Sequence, residues 1–368
     1  MKATTRFKVG LVGLGGISKQ HFKAISDSEE MELAAVVDLN EALVQEKAAQ
    51  FGVPGFTDLV EMVSKAKPDV VVIAVDTAAH AALTLQAAQL GVRAIHCEKP
   101  MAVHPSDARR MVEACEESGA LLTVNHQRRM GDLAPMIAAV ADGLIGDLRE
   151  LYGYCAGDFL SDGTHLLDSL LGLAGDPEVT QINAGIDLSR LDQRYGHIKE
   201  SGAFAVLETK AKIRLSLFTG VFAARRAYQE YLIVGSKGML WRSGDNTKPF
   251  NWFVCDGFGG DLRLTTNADI WFNMPLAGEG EGGPWRGWTP PEEPNPGKAV
   301  YDGIAKALRD GTGHPLNGRR TLQVQNLIGG IYLSGLRRRG VTYEEAEAIE
   351  TFPLMDEALM NENGVTTL

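Results

Sequence analysis

Cysteine is scarce in this chain: there are four in 368 residues. Cys97, Cys115, Cys155 and Cys255 stand far apart and form no CxxC pair. That spacing argues against a disulfide scaffold or a zinc–thiolate site and fits reduced thiols. The eight histidines show no HExxH or other ligand spacing, so no metal is expected. No run of about twenty apolar residues occurs, which argues against a membrane-spanning helix. The first residues lack an apolar segment followed by a cleavage site, so a cytoplasmic location is expected. Positive charge is in deficit, with 36 Lys and Arg against 47 Asp and Glu and a net charge of −11. The basic pairs and triplet, from Arg128-Arg129 to Arg337–Arg339, are scattered, so no nucleic-acid partner is expected. Internal repeats and low-complexity tracts are absent as well.

What the chain does have begins at Lys8. The stretch Lys-Val-Gly-Leu-Val-Gly-Leu-Gly-Gly-Ile-Ser-Lys-Gln-His runs to His21. Its apolar residues read as a buried strand, Gly13, Gly15 and Gly16 as a tight turn, and the residues from Ile17 onward as a helix. Strand, glycine turn and helix together place a pyrophosphate on a helix N-terminus, and the glycines let the backbone approach it closely. The usual third glycine position falls on Ser18, so helix–strand packing must accept a hydroxymethyl group. A second strand from Met31 ends at Asp38, roughly twenty residues past the glycines, where a carboxylate accepts hydrogen bonds from the adenine ribose hydroxyls. It would also repel a 2′-phosphate, which favours NAD over NADP. The competing reading is a glycine turn of some other α/β unit, with Asp38 capping the helix that starts near Glu41.

Strand and helix patterns alternate over the first ~125 residues, with strands at 8–13, 32–37, 69–75, 93–97 and 121–124. This predicts a doubly wound parallel sheet, a Rossmann dinucleotide-binding domain over 1–125. Asp76-Thr77 and Glu98-Lys99-Pro100 follow two of these strands and so fall at the carboxyl edge, where ligands bind. Beyond residue 126 the pattern changes to a helix near 133–142 and strands at 147–157, 179–188, 202–209, 212–221 and 227–235, several with alternating polarity. An α+β domain over 126–368 with a large, open, mainly antiparallel sheet is expected, serving substrate binding and oligomerisation. Gly235-Ser-Lys-Gly238 reads as a tight turn. Residues 275–297, rich in Gly, Pro and Glu, read as a long loop. Helices follow near 298–310 and 319–336, and the tail after 353 carries little signal. Trp271, Trp285 and Trp288 cluster around the loop, where indoles serve either in the core or an oligomer contact or as platforms for sugar rings.

The order of these segments resembles the Gfo/Idh/MocA family of nicotinamide-dependent oxidoreductases over most of the chain. The resemblance is carried by the glycine turn, Thr77-x-x-His80, Glu98-Lys99-Pro100, Val124-Asn-His-Gln-Arg-Arg129, Gly163-Thr-His165 with Asp168, and Gly235-Ser-Lys-Gly238. It implies a dehydrogenase for a secondary hydroxyl of a sugar, sugar derivative or cyclitol. It also implies a homodimer or homotetramer formed through the C-terminal sheet.

Within that frame Lys99 aligns and polarises the reacting hydroxyl, Glu98 can orient the nicotinamide ribose, and His165 carries the proton. An imidazole titrates near neutrality, as a general acid/base requires. Asp168, one helical turn on, can orient that imidazole or face the cofactor domain. Many relatives carry an aspartate four residues before the histidine. Here that residue is Ser161 and the aspartate is Asp162, which either reaches the substrate through a shifted turn or caps the following helix. His126 and Arg128 stand where the chain leaves the nucleotide domain and can line the cleft, while Arg128 or Arg129 can equally make an interdomain salt bridge. His80 reads as a packing or cofactor-shell residue. Two other classes stay open: an enzyme that retains its NAD and oxidises the sugar transiently, and a non-catalytic NAD or sugar sensor.

Overall fold

The computed structural model describes residues 6–223, 229–242, 252–255, 281–282, 285–288 and 294–364. The N-terminal half alternates β1 (Phe7–Val12), α1 (Ser18–Asp27), β2 (Met31–Val37), α2 (Glu41–Phe51), β3 (Gly55–Phe56), α3 (Leu59–Ala66), β4 (Val70–Ile73), α4 (Thr77–Gln89), β5 (Ala94–Cys97), α5 (Pro105–Ser118) and β6 (Leu121–Val124). The six strands pair in the order β3-β2-β1-β4-β5-β6, all parallel, as the alternation predicts. Both faces of this sheet are covered, so its central strand β4 is apolar throughout. In β4, Val71 and Ile73 join the core on one face with Ala87 and Met111, while Val70 and Val72 join the opposite core. Asn40 and Asp58 cap α2 and α3 by accepting the amides of Leu43 and Glu61. Asp38 is therefore not a helix cap.

After β6 a 3-10 turn (Gln127–Met130) and α6 (Ala134–Ala141) lead to β7 (Leu148–Cys155), a π-helical turn (Phe159–Gly163) and α7 (Thr164–Leu173). There follow β8 (Val179–Asp187), β9 (Asp192–Arg194), β10 (His197–Lys199), β11 (Gly202–Thr209), β12 (Arg214–Thr219), β13 (Gln229–Gly235), β14 (Met239–Arg242), β15 (Trp252–Cys255), β16 (Glu281–Gly282) and β17 (Trp285–Trp288). The chain closes with α8 (Pro296–Asp310), α9 (Gly318–Arg337), β18 (Val341–Thr342) and short helical segments, the last being Glu357–Glu362. Ten strands form the second sheet, in the order β16-β17-β15-β14-β13-β7-β12-β11-β8-β18. Only β7 and β12 run parallel; the other pairs are antiparallel.

The α7 and α9 helices cover one face of this sheet, where Leu166, Leu170, Ile328 and Ile331 join Leu151, Leu215 and Ile233 in one core. The other face carries aromatic side chains, with Tyr154 stacked on Phe218 at 5.1 Å and Phe204 edge-on to Phe222. The expected turn at Gly235–Gly238 joins β13 to β14, closed by the Gly235 amide on the Gly238 carbonyl.

Three expectations are corrected. The stretch 275–297 is not all loop, because β16 and β17 lie within it and β17 pairs with β15. Trp285 and Trp288 thus bound a strand, while Trp271 lies outside the described residues, as do residues 227–228 of the expected strand there. The polar tail after 353 carries a short helix. Finally, α8 does not stay with the second sheet. Its Val300, Tyr301 and Ile304 enter the core beneath β1 and β4, so this helix returns to complete the nucleotide-binding unit.

Candidate active site

The glycine turn is built as its residues require. Gly13 adopts φ +91°, and a Cβ there would lie 2.3 Å from the Ala74 carbonyl oxygen, so only glycine fits. Gly15 and Gly16 face open space. Ser18, at the position of the usual third glycine, is fully buried and resolves its own polarity: its hydroxyl donates to the Gly15 carbonyl at 2.6 Å. Asp38 accepts the Leu14 amide at 2.8 Å and the Asn40 amide at 2.9 Å, which ties the end of β2 to the turn. A cleft of about 500 Å³ opens above these residues, and Gly13, Gly15, Gly16, Ile17, Asp38, Asp76, Thr77, Glu98 and Lys99 line it. The cradle over Gly15 and Gly16, the helix N-terminus behind it and the carboxylate at its edge together fit a dinucleotide.

Glu98 closes the inner end of the cleft. Its Oε1 accepts His21 Nε2 at 2.9 Å and Asn125 Nδ2 at 2.6 Å, and Oε2 accepts the Lys99 amide. Burial alone would raise its pKa, but the donors and charge around it win and hold it down at about 2. The other ring nitrogen of His21, Nδ1, lies 2.8 Å from the Tyr301 hydroxyl, which links α8 to the cleft. His80 is buried between two loops of the carboxyl edge, its ring nitrogens 3.0 and 2.9 Å from the Val75 and Pro100 carbonyls, and as a neutral imidazole it donates to one of them. Its pKa is lowered, chiefly by burial.

The Lys99–Pro100 peptide is cis, and the lysine side chain leaves the nucleotide-binding half. Its Nζ donates to the Ser161 carbonyl at 3.0 Å, in the π-helical turn just before α7. His165 lies in the first turn of α7, is 7% exposed, and has no hydrogen-bond partner for Nδ1 among the described residues. Its pKa falls well below the ordinary histidine value, first through burial, then through the positive charges of Lys99 and Arg128 and through His126. The imidazole is therefore neutral at physiological pH.

Other expected partners fall elsewhere. Asp168 shares the face of His165 but makes no bond to it. It binds Arg129 Nε at 3.1 Å and Arg320, and it lies 3.6 Å from His126 Nδ1. Arg129, which also binds Asp176 at 2.6 Å, makes its salt bridges within the expected 126–368 domain, not the interdomain bridge anticipated for Arg128 or Arg129. His126 does not line the cleft. It is fully buried, bonds the Thr164 hydroxyl at 3.0 Å and meets His165 edge to face at 5.5 Å, so it packs behind the imidazole. Burial pushes its pKa down to about 4.

Asp162 does not cap a helix. Asp158 caps the π-helical turn by accepting the Ser161 amide, while Asp162 accepts Arg194 Nη1 at 2.7 Å. Ser161 turns inward to His197 Nε2 at 3.2 Å and is fully buried, so its hydroxyl does not stand in for an aspartate facing the cleft. Sequence reasoning missed His21, Asn125, Asp158, Arg194, Tyr195 and His197. Two of them lie inside quoted motifs, His21 ending the first and Asn125 opening Asn-His-Gln-Arg. The Asp-x-x-Ser spacing from Asp158 was a readable cap signal.

Residues 7–126 match the family model described as the oxidoreductase family with an NAD-binding Rossmann fold. The D-apiose dehydrogenase of Paraburkholderia graminis is 33% identical over 198 residues, which is 49% of this chain and 52% of that protein, so the match spans about half that relative's length. The inositol 2-dehydrogenase of Rhizobium meliloti is 28% identical over 273 residues, covering 70% of this chain and 80% of that one. A crystal structure of an aldose-aldose oxidoreductase from Caulobacter crescentus, complexed with glycerol, shares the fold with a TM-score of 0.76. It is 19% identical and the match covers 92% of this chain and 100% of that one. In its nucleotide-binding unit, residues 7–126, this chain is thus similar to the oxidoreductase family with an NAD-binding Rossmann fold, and beyond it to sugar and inositol dehydrogenases.

Proposed function

We propose that this protein is an NAD-dependent dehydrogenase that oxidises a secondary hydroxyl of a sugar, sugar derivative or cyclitol to a ketone, or runs the reverse reaction. The observation that supports this reading is that Lys99 lines the dinucleotide cleft and reaches across to the turn just before His165. Lys99 reaches the turn that leads into α7, and its charge acts on the His165 imidazole.

NAD bound against the glycine turn supplies the hydride acceptor. Asp38 binds the adenine ribose, Glu98 orients the nicotinamide end, and Lys99 donates a hydrogen bond to the substrate hydroxyl, lowering its pKa. His165 takes the hydroxyl proton on Nε2, since its ring is held neutral. Asp162, with Arg194 beside it, and Arg128 lie on the substrate side. His126 supports His165 from behind. Asp38 also favours NAD over NADP, because its carboxylate opposes a 2′-phosphate and the next residue is Leu39 rather than a cation. The relatives named as dehydrogenases of D-apiose and inositol support a polyhydroxylated substrate. The aromatic outer face of the second sheet supports assembly into a homodimer or homotetramer, and the neutral-to-acidic chain without a long apolar helix among its described residues supports a cytoplasmic enzyme.

The test is NADH formation, followed by absorbance, across hexoses, pentoses, sugar acids, amino sugars, glycosides and inositols, with wild type and Lys99→Ala side by side. A signal that disappears in the variant supports the dehydrogenase. Silence across the panel, with NAD binding confirmed by calorimetry, overturns it in favour of an enzyme that keeps its NAD or a sensor.

A further inference from the structure

The β9–β10 hairpin belongs to neither sheet. Its two three-residue strands pair only with each other, Arg194 opposite His197 and Lys199 opposite Asp192. The two residues between them, Tyr195 and Gly196, have φ of +47° and +83°. Two positive φ values in a two-residue hairpin define the type I′ pattern, for which Asn-Gly or Asp-Gly is the favoured pair. Tyrosine in the first position is unusual, because a bulky L-residue is disfavoured in the left-handed region. Among the described residues little packs against it: Tyr195 is 49% exposed, and the Arg194 guanidinium lies 4.9 Å from its ring centroid.

Its position supplies the reason. Tyr195 lines the same cleft as Gly15, Asp76, Glu98 and Lys99, yet it comes from the other half of the chain. The tip is seated on the nucleotide-binding half at Gly196, where an added Cβ would lie 3.0 Å from Ala78 Cβ in the first turn of α4. The base is fastened to the substrate side. Arg194 Nη1 donates to Asp162 at 2.7 Å and to Asp158 at 3.2 Å, and His197 Nε2 lies 3.2 Å from the Ser161 hydroxyl. A side chain held in a disfavoured backbone state, on a doubly fastened tip, above an elongated cleft, has a function that the protein alone does not show.

We propose that Tyr195 is a cofactor-binding residue, its ring closing over the dinucleotide as the outer wall of the cleft. This rests on the NAD reading above. An aromatic ring suits the task, since it covers apolar area and excludes water.

The experiment titrates wild type, Tyr195→Asn, Tyr195→Ala and Tyr195→Phe with NAD by isothermal calorimetry and follows thermal unfolding of each without nucleotide. Asparagine suits the turn, so Tyr195→Asn should unfold at the wild-type temperature or above while its Kd for NAD rises about tenfold. Tyr195→Ala should weaken NAD similarly, and Tyr195→Phe should stay within about threefold of wild type. Wild-type affinity in a stable Tyr195→Asn protein overturns the assignment. Failure of wild type itself to bind NAD overturns the underlying reading instead, so the two failures are distinct.

Discussion

Lys99 and Ser161, sixty-two residues apart and in different halves of the chain, are joined by one hydrogen bond from Nζ to the Ser161 carbonyl at 3.0 Å. That bond aims the ammonium at the start of α7 and so at His165.

Removing the ammonium should therefore harm chemistry more than cofactor binding. Lys99→Ala is expected to lower kcat by about 10²–10⁴-fold, the range for a positioned proton-handling group, with NAD affinity changed by less than about threefold. Steady-state kinetics beside calorimetry decide it, and turnover within twofold of wild type would falsify the role given to Lys99.

The charge of Arg128 is one of the forces that lower the His165 pKa, after burial and Lys99. Replacing it by glutamine takes a positive neighbour from the imidazole and makes protonation easier, so the pKa must move upward. NMR titration of the His165 ring should show that upward move in Arg128→Gln, with the midpoint still below the ordinary histidine value because burial remains. A downward or null shift contradicts the placement of the guanidinium beside the imidazole.

Asp38 does two things at once, holding the Leu14 amide and presenting its carboxylate to the cleft. Asp38→Ala is expected to weaken NAD by about tenfold or more, as the loss of hydrogen bonds to a charged group suggests, because the turn loses its tie and the ribose its acceptor. NADP should weaken less or bind better, since the charge opposing its extra phosphate is gone. Binding measurements with both nucleotides give the ratio, and an unchanged NADP-to-NAD ratio removes Asp38 as the selector.

What could be read from the sequence follows from how local the signals were. The glycine turn, β2 leading up to Asp38, and α7 carrying His165 all rest on contiguous spacing, and each lies where expected. The knot of Asp168 with Arg129 and Arg320 was not legible, because its partners lie 39 and 152 positions away and only the packing of α7 against α9 unites them. His126 looked like a cleft residue because chain position says where the backbone goes and not which way a ring turns. The β9–β10 hairpin escaped because its strands are three residues long and carry no apolar alternation. The departure at Ser161 was visible as a letter change. Its resolution, with the backbone carbonyl meeting Lys99 while Arg194 meets Asp162, needed side chains from two further elements.

Glu200 offers the clearest pH dependence outside the site. It is 4% exposed, its Oε1 accepts the Phe159 amide at 2.7 Å and its Oε2 accepts the Tyr332 hydroxyl at 2.6 Å, directly beneath the π-helical turn. Burial, then the Tyr332 bond opposing it and the nearby Asp158 charge adding to it, bring its pKa up to about 7 from an ordinary 4.5. The folded state thus keeps a proton that the unfolded chain releases. Its contribution is fully present below about pH 4.5, falls as pH rises toward 7, and stays lost above that. At about 1.4 kcal/mol for each pH unit in that window, the loss is on the order of 3 kcal/mol. The buried histidines His80, His96, His126, His165 and His314 work the other way. Their lowered pKa values cost stability as pH falls below the ordinary histidine range, so the wild-type profile alone hides the glutamate. Asp158, held far below the usual carboxylate range, stays charged throughout. The difference between Glu200→Gln and wild type isolates the effect, because the amide cannot titrate. Urea unfolding from pH 5 to 8 should show Glu200→Gln gaining on wild type as pH rises, and a pH-independent difference would mean that Glu200 titrates at its ordinary value despite its burial.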